Sequence, residues 1–231
     1  MTTIAANLQR VHQRIALSCA GAHRDVNEIT LLAVSKTFAA GMVREACAAG
    51  QRAFGENYIQ EAVEKITLLR ELPLQWHCIG PIQSNKTRLV AAHFDWAHTV
   101  DRLKTAQRLS DQRPAGLAPL QVCIQVNIDG GPTKAGVAPA EVLALAREVA
   151  RLPHIALRGL MTIPEPAGDF AAQKAVHLRA KALFDGLRDA GLALDTLSMG
   201  MTADLEAAIA AGSTMVRVGT AIFGTRPAKE E

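Results

Sequence analysis

The sequence predicts an α/β fold, a single (β/α)8 barrel of the TIM type with an extra N-terminal helix. Three observations carry that expectation. Eight short apolar runs that read as strands alternate with stretches of helical spacing. Several of these runs are apolar on both faces, as parallel strands covered on both sides should be. The chain has 231 residues, the length at which eight βα units close into one barrel. An open doubly wound sheet is the competing arrangement, but no GxGxxG follows the first strand.

The elements follow in order. Ile4, Leu8, Val11 and Ile15 recur at helical spacing, with Thr2 or Thr3 available as N-cap, so an amphipathic helix leads. The first strand is 29–35. A helix over 39–49 ends at Gly50, and a short strand at 52–54 precedes a helix over 56–70. LQWHCIG is the third strand, QSNKTRLVAAH a helix and DWAHTV the fourth strand. Residues 101–111 are helical, and Pro114, Gly116 and Pro119 mark the loop after them. LQVCIQVNI is the fifth strand, and Pro139 opens a helix over 139–151. IALRGLMTI is the sixth strand, followed by a long helix over 168–190 closed by Gly191. ALDTLSM is the seventh strand, 203–211 a helix closed by Gly212, and STMVRVG the eighth strand. No linker or low-complexity segment divides the chain, so one domain over 1–231 is expected.

Composition narrows the function classes. Apolar residues make up 49% and aromatic ones only 4%, so Ala, Leu, Val and Ile must fill the core. The net charge is +3, from 25 basic and 22 acidic residues, and no polybasic run appears. Nothing here calls for nucleic acid. No apolar stretch approaches the roughly 18 residues that span a membrane, and the N-terminus has no signal-peptide pattern. Cys19, Cys47, Cys78 and Cys123 form no CxxC pair, which suits a reduced, cytoplasmic protein. Cys78 and Cys123 sit in apolar runs and read as small hydrophobes.

In a barrel, chemistry gathers at the C-terminal ends of the strands. Lys36 follows strand one, Asn57 strand two, and His77 lies near the end of strand three. LSMGMTADLEAAI and MVRVGTAIFGTR each carry a strand into a glycine turn with a hydroxyl nearby. Such turns after strands seven and eight commonly hold a phosphate, with Ser198 and Thr220 offering hydroxyls. Equally, Gly200 and Gly219 could only make turns. Arg217 shares a face of strand eight with Met215 and Gly219, where a guanidinium needs an acceptor. That acceptor is either a carboxylate of the protein or an atom of a ligand. Lys36 is either a surface lysine at a strand end or a Schiff-base amine made nucleophilic by the apolar run behind it and a nearby arginine. A phosphate site, a buried arginine and a strand-end lysine together describe one ligand, and pyridoxal 5′-phosphate (PLP) fits. His93 and His98 read as surface or junction residues, without metal-ligand spacing.

AVSKTF, FGENYIQEAVEK, WHCIGPIQSNK, QVNIDGGPTKAGV, GLMTIP and LSMGMTADLEAAIAAGSTMVRVGTAIFGTR together resemble the pyridoxal phosphate homeostasis protein family, also called the proline synthase co-transcribed family. The resemblance runs in order from about residue 4 to residue 226. It implies a fold type III barrel like the N-terminal domain of alanine racemase. It implies PLP held as an internal aldimine on Lys36. By position it implies Ser198, Gly200, Gly219 and Thr220 at the phosphate and Arg217 at the pyridine nitrogen. Asn57 and His77 would line the ring pocket, and Lys134 would make a secondary PLP contact. Two departures stand out: Cys78 where an aromatic is common, and DGGP, residues 129–132, where an acidic, glycine-poor loop is common.

The resemblance implies a cofactor carrier or regulator without robust turnover, a monomer whose partners beyond PLP are apo-enzymes that use it. A racemase-like enzyme is the alternative; an aldolase-type barrel that binds a substrate phosphate is a third reading. Racemisation wants a second base, and the chain's only tyrosine is Tyr58.

Overall fold

The computed structural model describes residues 3–131 and 134–225. Thr2 and Pro132 lie outside them. Eight parallel strands close into a barrel in sequence order: β1 (Thr30–Val34), β2 (Ala53–Glu56), β3 (Gln75–Cys78), β4 (Trp96–Val100), β5 (Leu120–Val126), β6 (Ile155–Thr162), β7 (Thr196–Met201) and β8 (Met215–Val218). The seam joins β1 to β8, with Leu32 opposite Arg217 and Ala33 opposite Val218. Around the barrel run α1 (Ile4–Gly21), α2 (Ala40–Ala48), α3 (Ile59–Leu68), α4 (Thr87–His93), α5 (Leu103–Asp111), α6 (Val142–Val149), α7 (Phe170–Asp189), α8 (Leu205–Ala210) and the one-turn α9 (Thr220–Phe223).

Alternation along each strand sorts side chains between barrel interior and helix layer. Val216 and Val218 of β8 pack outward with Ile209 and Ile222. Leu32, Ala53, Ile79 and Met215 form one apolar group inside, and Trp96, Cys123 and Met161 another. Small and branched side chains dominate both layers, as the scarcity of aromatics requires. The four thiols are free and buried. Burial pushes those of Cys78 and Cys123 up to about 12, so they are inert packing groups. Among the described residues no helix is long and apolar enough to cross a membrane.

The extra helix α1 starts at Thr3, whose hydroxyl accepts from Ala6 N. It buries Ile4, Leu8, Val11, Ile15 and Cys19 against α2, α8 and α9.

Element ends differ from the sequence pattern where pairing overrides propensity. β2 runs on to Glu56, pairing Gly55 with His77 and Glu56 with Cys78, so α3 begins only at Ile59. α4 begins at Thr87, with Gln83–Asn85 left in the preceding turn. Pro139 opens a 3-10 turn before α6 rather than the helix itself. β7 extends through Met201, two residues past the end its apolar pattern suggests, because Met201 pairs with Arg217. Gly200 in that stretch has φ +92, and a Cβ there would lie 2.4 Å from Ala208 Cβ of α8, so only glycine lets α8 pack so close to the turn.

Candidate functional site

The C-terminal end of the barrel holds a cavity of 290 Å³. Its polar wall is Lys36, Asn57, Thr202, Arg217 and Thr220; Val34, Phe38, Ile79 and Ile163 supply apolar surface, and Gly219 and the 201–203 turn complete it. Among the lining residues Lys36 and Arg217 carry the only ionisable side chains.

Lys36 sits in a braced loop. Its neighbour Thr37 has φ +68, an unfavourable conformation for a β-branched residue. The surroundings impose it. Thr37 N donates to Glu61 Oε1 at 2.7 Å, and Lys65 Nζ donates to the Ser35 carbonyl at 2.8 Å. Lys65 also pairs with Glu56 at 2.8 Å and Glu61 at 2.6 Å, while Ser35 Oγ donates to Glu56 at 2.6 Å. A strand, a helix and a buried ion cluster therefore fix the backbone on both sides of Lys36.

Arg217 is 4% exposed. Its Nη1 donates to Ser198 Oγ at 2.8 Å and its Nη2 to the Thr162 carbonyl at 2.8 Å. Neither partner is charged, and among the described residues no carboxylate pairs with it. Burial pulls its pKa down to about 10, partly opposed by the field of Asp204. It stays a cation at neutral pH, buried, with neutral partners and one side on the cavity.

Behind Arg217 a hydrogen-bonded chain crosses the barrel. Ser198 Oγ meets His98 Nδ1 at 3.2 Å, His98 Nε2 meets His77 Nδ1 at 2.9 Å, and His77 Nε2 meets Gln75 Oε1 at 3.0 Å. Arginine can only donate, so Ser198 accepts from it and turns its own proton toward His98 Nδ1. His98 then carries its proton on Nε2 and donates to His77, which carries its proton on Nε2 and donates to Gln75. Desolvation pushes both histidines toward the neutral form, His98 to about 3. Nitrogen-15 spectra of the imidazoles are expected to show two neutral Nε2–H tautomers that do not titrate between pH 8 and pH 5. An Nδ1–H signal from either ring would contradict this direction.

The structure brings Lys36, Asn57, Arg217, Gly219 and Thr220 to one cavity wall. Asn57 Oδ1 is buried there without a partner among the described residues. Other expected residues stand off this wall. Ser198 and Gly200 do not line the cavity, because β7 runs on to Met201 and leaves them below the turn. The hydroxyl of Ser198 is committed to Arg217 and His98, and Thr202 takes the place at the wall given to Ser198. His77 is fully buried in the barrel interior, stacked on Trp96 at 5.1 Å, and does not reach the wall. His98 is no junction residue; it is fully buried in β4. Lys134 lies off the cavity, paired with Glu165 at 3.0 Å. Tyr58 is the 54% exposed residue before α3 and lines a neighbouring groove. Thr202 was detectable as the hydroxyl two residues after Gly200; for His98 the sequence offers no local signal beyond a strand face shared with Trp96.

The family model for the alanine racemase N-terminal domain matches residues 3–227. The pyridoxal phosphate homeostasis protein of Pseudomonas aeruginosa is 59% identical over 226 residues, covering 98% of this chain and 97% of its own. The chain belongs to the pyridoxal phosphate homeostasis protein family. The family member from Escherichia coli is 55% identical over 229 residues, with 98% of each chain covered. Among solved structures, PipY of Synechococcus elongatus with PLP bound matches with TM-score 0.80 and 39% identity, over 91% of this chain and 100% of that one. PipY thus shares both the fold and the length of this chain. The curated relatives are named for homeostasis and not for a reaction.

Proposed function

We propose that this cavity binds pyridoxal 5′-phosphate and that the protein keeps the cofactor in supply, as a carrier or reservoir for apo-enzymes that need it. One observation carries the reading. Arg217 is a buried cation with only uncharged partners, on the same wall as Lys36. It calls for an acceptor from a ligand, since a buried charge is costly unless fully bonded. The residues present suit the cofactor. Lys36 offers an amine to its aldehyde carbon, where a covalent bond to Nζ would hold it. Arg217 offers a donor to the ring nitrogen, and the unpartnered Asn57 Oδ1 an acceptor for a ring hydroxyl. Val34, Phe38 and Ile79 offer apolar surface to the ring, and Thr202 and Thr220 offer hydroxyls to the phosphate.

The cofactor supplies a reactive aldehyde and a ring that draws electrons. Arg217 cannot accept the ring's proton and only donates to it, which keeps the nitrogen unprotonated and the ring a weak electron sink. No lining side chain other than Lys36 could act as a base toward a bound amino acid. Both points favour holding the cofactor over turning substrates over. The family name of the relatives and the PLP in PipY support the same reading.

Purified protein incubated with PLP is expected to turn yellow, to bleach on borohydride reduction and to carry the label on Lys36; Lys36→Ala should carry none. Wild-type protein that stays colourless would overturn the proposal. Steady α-proton exchange of L-amino acids in deuterated water at enzyme-like rates would overturn the carrier role and favour a racemase-like enzyme.

A further inference from the structure

The N-terminal helix reaches the β7–α8 turn and α9, the two segments that carry the hydroxyls of the cavity wall. Its apolar face alone would hold it to the barrel, so its polar ties invite explanation. Arg14 Nη2 donates to the Thr202 carbonyl at 2.7 Å, in the turn between β7 and α8. The same guanidinium grips Glu206 of α8 through Nε and through Nη2 at 2.7 Å. About two turns before Arg14, the 8% exposed Asn7 donates from Nδ2 to the Ile222 carbonyl at 2.7 Å, in α9 after β8. Asn7 Oδ1 accepts from Arg10, so both ends of this buried amide are used. Thr202 and Thr220, the hydroxyls at the cavity wall, belong to these two segments.

We infer that α1 is a clamp on the phosphate end of the site, with Arg14 and Asn7 as positioning residues that set the β7–α8 turn and α9 at the spacing a phosphate requires. The inference rests on the cofactor reading above. Neither residue touches the cavity; each acts through a backbone carbonyl. The lysine end has its own polar brace in Lys65, Glu56 and Glu61, and it meets α9 only through apolar packing such as Phe38 on Phe223 at 5.1 Å. Because one helix ties both segments, its displacement loosens both at once, whereas losing either tie alone loosens one.

This arrangement predicts a selective defect. A ligand with a phosphate should feel the clamp, and the same ligand without it should not. The test compares PLP and pyridoxal by titration into the full-length protein, followed at the absorbance of the Lys36 adduct. Arg14→Met is expected to weaken PLP about tenfold and leave pyridoxal within twofold. Asn7→Leu should shift the ratio the same way. Glu206→Gln, which keeps a neutral partner for Arg14 and carries little risk to folding, should shift it two- to threefold. A ratio of PLP to pyridoxal affinity unchanged in Glu206→Gln and in whichever of the other variants folds would overturn the clamp, as would equal weakening of both ligands. Wild-type protein that binds neither ligand would instead overturn the cofactor reading.

Discussion

Lys65→Met is expected to cost about 3–5 kcal/mol of folding stability, the range found when one partner of a buried ion pair is removed. Lys65 is 5% exposed and Glu56 fully buried. Glu56 Oε1 receives Lys65 and Ser35, while Oε2 has no partner among the described residues. Burial raises the Glu56 pKa, and Lys65 is the main influence pulling it back. Without Lys65 the carboxylate must bury an unpaired charge or take a proton. The loss spreads to the Lys36 loop, because Lys65 also holds Ser35 O and steadies Glu61, which in turn holds Thr37 in its left-handed conformation. Urea unfolding checks the magnitude. The double variant Lys65→Met/Glu56→Gln should recover about 2 kcal/mol or more, since it removes the charge that the single variant strands. A double variant no more stable than the single one would mean that lost packing, and not a stranded charge, sets the cost.

Stability is also expected to fall steeply between pH 6.5 and 4.5. His77 and His98 are fully buried and held neutral, with folded pKa values below the ordinary 6.5, to about 3 for His98. Below pH 6.5 the unfolded chain takes up protons that the folded chain refuses. The stabilisation is therefore complete above 6.5 and drains as the pH falls, by about 1.4 kcal/mol per unit for each histidine. Over two units His98 alone loses roughly 2 kcal/mol, and His77, held neutral by the same burial, adds to that loss. The carboxylates with lowered pKa, Glu71, Asp195, Asp204 and Glu206, lose their stabilisation only below the ordinary carboxylate range, beneath this window. His98→Gln should cost stability at pH 7 and reduce the slope between 6.5 and 4.5. Urea unfolding at four pH values measures both. An unaltered slope would show that the buried pair is not what limits acid stability.

The barrel was legible because both-face apolar runs and helical spacing alternate in a pattern that few folds use. Its element ends were less so: whether β7 stops at Met199 or Met201 depends on pairing with Arg217 across the sheet, which no local pattern encodes. That same offset moved Ser198 from the cavity wall to the barrel interior and brought Thr202 to the wall. Lys36, Arg217, Asn57, Gly219 and Thr220 were legible because strand ends and turn glycines place them almost regardless of register. His98 was not, because a histidine in an apolar strand gains meaning only from Ser198 on one side and His77 on the other, both far away in sequence. The brace around Lys36 escaped for the same reason: Glu56, Glu61 and Lys65 look like ordinary charges of a strand end and a helix until they are seen to converge.

The seam between β1 and β8 has a consequence for how the protein is made. During translation Lys36 leaves the ribosome with the first strand, while Arg217, Gly219 and Thr220 emerge only with the last. A nascent chain thus displays the amine long before any pocket exists to receive a ligand, and a chain clipped before β8 never gains one. Up to that moment its lysine meets an aldehyde only as any exposed amine does. Ligand retention would then act as a certificate that synthesis has reached the final strand and that the barrel has closed.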